Sequence, residues 1–67
     1  MTLTAEEKKS AINAKRGPLD HEKYAAELDV KTAEASGQEE LMEEPRARLA
    51  RIEDQLKVLD DAEAKID

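Results

Sequence analysis

The stretch "EELMEEPRARLARI", residues 39–52, sets a proline inside what otherwise reads as one amphipathic helix. Met42, Leu49 and Leu56 recur every seven residues, and Ile52, Leu59 and Ile66 fall between them in a 3-4 alternation. Such a stripe suits a narrow seam against a partner helix. Pro45 shares its phase, and Glu63 interrupts it once more, while Arg48, Arg51, Asp54, Lys57, Asp61 and Lys65 form a solvated side. If the helix starts at 37, Pro45 is interior, removes one backbone hydrogen bond and costs roughly 3 kcal/mol. If it starts at 45, the proline takes the favoured first position, but Glu44 is then a poor N-cap. Leu41 and Met42 stay in register with the seam, which favours a single helix over about 37–66, kinked at Pro45.

Working upstream, Thr4-Ala5-Glu6-Glu7 and Ser36-Gly37-Gln38-Glu39 both match the capping-box pattern, a hydroxyl residue followed three positions later by glutamate. They place helix starts near 5 and 37 and make residues 35–37 the turn. Between them, Ile12, Leu19, Ala26 and Ala33 are seven apart, with Ala5 and Val30 on the same side. Ala14, His21, Tyr24, Leu28 and Ala35 lie on the other. A helix with two apolar faces touches something on both. Gly17-Pro18 interrupts the run, yet Ile12 and Leu19 keep phase across it, which points to a kink or a short break there.

Arms of about 46 and 45 Å at 1.5 Å per residue, joined by a short connection, make an antiparallel helical hairpin. The fold expected is therefore all-α, one domain over 1–67 that self-associates; the alternative is a three-helix bundle broken at Gly17. A reversal near residue 36 sets Tyr24 opposite Leu49 and Leu28 opposite Pro45. On that register Tyr24, Leu28, Leu49, Ile52, Leu56 and Leu59 form the intrachain seam. The face of Ile12, Leu19, Ala26, Val30 and Ala33 is left for another molecule, or for packing within the chain if the bundle forms.

Composition agrees with a thin helical assembly. Of 26 apolar residues 11 are alanine, so 15 larger side chains must make the core, and Tyr24 is the only aromatic among them. At 67 residues such a core gives little stability alone, and the absence of cysteine removes disulfides as a remedy. The net charge of −6 runs from +2 over residues 1–16 to −5 over 36–67. An acidic surface repels phosphate backbones, so no direct nucleic-acid binding is expected. No apolar run approaches the ~20 residues of a membrane span, and "MTLTAEEKKS" has no signal-peptide pattern. The expected location is cytoplasmic, or a virion assembled in a cytoplasm.

The residue types that carry chemistry do not assemble into a site. His21 sits between Asp20 and Glu22, but successive helical residues point about 100° apart and cannot converge on a metal. The 17 carboxylates lack a cleft that would desolvate a pair for acid–base work. No enzyme activity, metal or cofactor is expected. Glu39, Glu40, Glu43 and Glu44 form an acidic patch that complements a helix N-terminus; it could also occupy a basic site on a partner.

The run "KYAAELDVKTAEASGQEE" followed by "RARLARIEDQLKVLD", about residues 22–59, resembles small helical-hairpin proteins encoded by phages and prophages. Those proteins are mostly uncharacterised, and some are virion or accessory components. The resemblance implies a binding or structural role. The function expected is thus non-enzymatic: contact with a protein partner, with itself as a dimer or higher oligomer, or both. The alternative is an acidic regulator or inhibitor of a basic partner.

Overall fold

A computed structural model describes residues 2–66; Met1 and Asp67, the ends of the expected domain, lie outside the described residues. Helix α1 spans Ala5–Ala35, a 3-10 turn follows over Glu39–Met42, and α2 spans Glu43–Ala64. The two helices pack against each other as an antiparallel hairpin 53 Å long and about 16 Å across.

Thr4 caps α1 as its sequence requires. Its hydroxyl accepts from the Glu7 N–H at 3.1 Å, and the Glu7 carboxylate accepts from the Thr4 N–H at 3.1 Å. Two of the helix's free N–H groups are thereby satisfied. That pairing holds the Glu7 carboxyl below its ordinary value, chiefly through the Thr4 backbone N–H and secondly through the Thr4 hydroxyl.

α1 continues through Gly17-Pro18, with neither the break nor the three-helix alternative. Pro18 has no N–H, so the Ala14 carbonyl loses its usual donor. Both residues are exposed and border an open groove, where solvent can reach that carbonyl. On the other side, Arg16 binds Asp60 at 2.9 Å and Glu63 at 3.4 Å, tying the weak point to α2.

The second capping box does not form. Ser36 is instead the C-cap of α1, its hydroxyl donating to the Thr32 carbonyl at 2.9 Å. Gly37 follows at φ +70°, and the Gly37 and Gln38 N–H groups return to the carbonyls of Glu34 and Ala33, both at 3.1 Å. This paired closure needs a left-handed residue, which glycine supplies without a Cβ clash. Gly37 thus decided the local contest between starting a helix and ending one.

Pro45 neither kinks the middle of a long helix nor opens one as first residue. The 3-10 turn comes first, α2 starts at Glu43, and Pro45 is its third residue. The first four N–H groups of a helix have no intrahelical acceptor, so a missing one there costs little. Glu43 and Glu44 occupy the same first turn, where the helix dipole favours negative charge.

The packed face of α1 is the reverse of the sequence expectation. Ile12, Ala26 and Ala33 are buried, Leu19 and Val30 half-buried, whereas Tyr24 is 63% and Leu28 44% exposed. On α2, Pro45 and Ile52 are buried and Leu49, Leu56 and Leu59 half-buried, with Met42 buried in the preceding turn. The reason is register. Placing the reversal at 36 pairs positions summing to 73. The turn through Gly37, Gln38 and the 3-10 segment moves the reversal point later, and the ion pairs join 16 to 60 and 63, and 29 to 48, sums of 76, 79 and 77. That slide of about one helical turn brings the series 12, 19, 26, 33 alongside 66, 59, 52, 45. The buried members of the two seven-residue series, Ile12, Ala26 and Ala33 on α1 and Pro45 and Ile52 on α2, then share one seam, in which small alanines leave room for larger side chains.

Candidate interaction surface

What the hairpin leaves outside follows from that register. Among the described residues, Leu3, Tyr24, Leu28, Leu41 and Val58 are the large apolar side chains in water. Tyr24 and Leu28, four residues apart, share one face of α1, roughly opposite Ala26. The residues expected to meet a second molecule (Ile12, Leu19, Ala26, Val30 and Ala33) instead pack within the chain. The sequence signal that separates the faces is the match of two uninterrupted seven-residue series. It is visible only once the turn length is known.

The side surfaces of the hairpin differ. One carries Arg16 with Asp60 and Glu63. The other holds an open groove of about 550 Å³ whose walls are Ala14, Lys15, Pro18 and Leu19 from α1 and Gln55, Val58 and Leu59 from α2. Arg48 pairs with Asp29 across the helices, and its other terminal nitrogen lies 4.0 Å from Glu44. Its Nε is buried without a hydrogen-bond partner, the arrangement of a long side chain laid along the seam to reach an exposed carboxylate. Surface pairs of this type contribute about 0–1 kcal/mol each, so they fix register more than they add stability.

Around the turn, Glu39, Glu40, Glu43 and Glu44 are all exposed. A shallow depression there is lined by Glu39, Glu40, Met42, Glu43 and Arg46. Glu44 is shared with Arg48, so the four carboxylates do not form one uniform patch. His21 is exposed, and no group of three or more metal-ligating side chains occurs among the described residues. No helix among them is long and apolar enough to cross a membrane.

No family model, no curated protein and no solved structure matches the chain.

Proposed function

We propose that this chain works without catalysis, by binding protein through the outer face of α1, as a structural or assembly component. The observation that carries this reading is the Tyr24–Leu28 pair, an aromatic and a leucine exposed together although Ile52 and Ala26 inside are fully packed. Tyrosine is enriched at protein contacts because it offers a large rigid surface with a polar tip. The partner this face suits is another protein. The resemblance of residues 22–59 to phage and prophage hairpin proteins supports a place in a particle or its assembly, and so a cytoplasmic or virion location.

The exposed carboxylates at the turn support a second reading, an acidic regulator that enters a basic site on its partner. Salt separates the two. Binding that falls steeply between low and moderate ionic strength belongs to the acidic turn, and binding indifferent to salt belongs to the apolar face. A photo-crosslinking residue in place of Tyr24 tests the first reading in extract of the cells that make the protein. It should yield one discrete protein adduct that disappears with Leu28→Lys. A diffuse ladder indifferent to that change would contradict it.

A further inference from the structure

We propose that a second copy of this chain docks antiparallel on the groove walled by Ala14, Pro18, Leu19, Val58 and Leu59, placing the two acidic turns at opposite ends of the dimer. This rests on the reading of the chain as a protein-binding hairpin, and it concerns a surface distinct from the Tyr24 face.

The chain exposes 5315 Å², whereas a compact monomer of its mass exposes about 4,250 Å². The excess of about 1,000 Å² is close to the ~800 Å² that each partner buries in a standard protein–protein interface. Pairing side by side would bring each chain to the exposure of an ordinary folded protein.

The groove also has the self-complementary character that a twofold contact demands. Val58 is 66% exposed and stands at the edge of the hollow beside Pro18 and Leu19, so the same patch presents a ridge and a recess. Its polar members match as well. Pro18 frees the Ala14 carbonyl as an acceptor, and the Lys15 ammonium and the Gln55 amide on the same groove can donate to it. Two copies facing each other thus offer apolar contact and complementary hydrogen-bonding groups.

Charge decides the orientation. Residues 27–50, the closed end of the hairpin, carry −4 of the total −6. Parallel pairing would set the two closed ends together. Antiparallel pairing parts them. The groove lies about 20 residues from Gln38 along α1, about 30 Å at 1.5 Å per residue, so a twofold axis through it holds the turns about 60 Å apart. That is several times the ~8 Å screening length at physiological salt.

The test combines sedimentation at micromolar to hundreds of micromolar protein with spin-label distances. Wild type should be a reversible dimer, and Gln38→Cys labels should lie about 60 Å apart across it. Val58→Asp should weaken association at least roughly tenfold while circular dichroism stays unchanged, since Val58 already faces water. Tyr24→Asp should leave the dimer intact. A concentration-independent monomer would overturn the proposal. So would a dimer indifferent to Val58→Asp, or turn-to-turn distances near 20 Å, the span of adjacent labels. A strict monomer that still forms the Tyr24 adduct would remove the dimer alone and leave the partner-binding reading standing. Loss of that adduct from an intact dimer would do the reverse.

Discussion

Ile52→Ala probes the hairpin where its two repeats meet most tightly. Ile52 is 3% exposed and, in the register set by the ion pairs, lies alongside Ala26, which is 0% exposed. The substitution removes three buried carbons, about 0.8 kcal/mol each by transfer. A cavity contribution adds to this, but a two-helix seam can partly close, which keeps the total near 2–3 kcal/mol, the low end for such truncations. A chain of this length has a total stability of roughly 3–10 kcal/mol. Thermal unfolding followed by circular dichroism at 222 nm should therefore show the midpoint lowered by about 10–20 °C. Tyr24→Ala is the matched control: at 63% exposure its loss should change stability by no more than about 0.5 kcal/mol. A fall below about 1 kcal/mol for Ile52→Ala, or a larger cost for Tyr24→Ala, would refute the packing described.

Backbone substitutions give independent checks. Gly37→Ala should cost about 1 kcal/mol in urea unfolding, because residue 37 sits at φ +70°. Gly17→Ala should stabilise by about 0.5–1 kcal/mol, since a Cβ there meets nothing within 4 Å. Pro18→Ala should stabilise more than that by restoring the bond to Ala14, whereas Pro45→Ala should be neutral or harmful, since it loses packing and gains only a first-turn N–H. The Glu7 carboxyl titrates below its ordinary range, so its contribution to the α1 N-terminus is complete above the ordinary glutamate value and lost as pH falls through the lowered one. In an acid titration by NMR the Thr4 amide should report that lowered midpoint, and Thr4→Ala should raise it toward the ordinary value.

Much of the hairpin is legible in the residues alone: the Thr4 box, the extent of α1 and the seam from Leu49 to Leu59 follow from pattern and periodicity, whereas α2 is 22 residues long, from Glu43 to Ala64, and not the full arm over 37–66. The turn is where reading fails, because Ser36-Gly37 satisfies two rules at once. As an N-cap, Ser36 opens a helix; as a C-cap followed by glycine, it closes one. The second wins because a left-handed Gly37 satisfies two carbonyls of an already formed 31-residue helix. That choice postpones α2 to Glu43, places Pro45 harmlessly, and slides the pairing by about a turn. Each α1 face is apolar enough to pack, so the slide alone changes which of them is inside. The exposed Tyr24 was consequently invisible as a surface until the turn was known.

Thiol reactivity tests that choice of face most directly, and the cysteine-free sequence makes every introduced thiol unique. Single Ala26→Cys, Ala33→Cys and Tyr24→Cys chains would be alkylated at nanomolar concentration, where chains are separate. Cys at 26 and 33 should react at least roughly 100-fold more slowly than in urea-unfolded protein, matching an opening free energy of about 3 kcal/mol, while Cys at 24 should react at nearly the unfolded rate. Protection at 24 together with free reaction at 26 and 33 would contradict it.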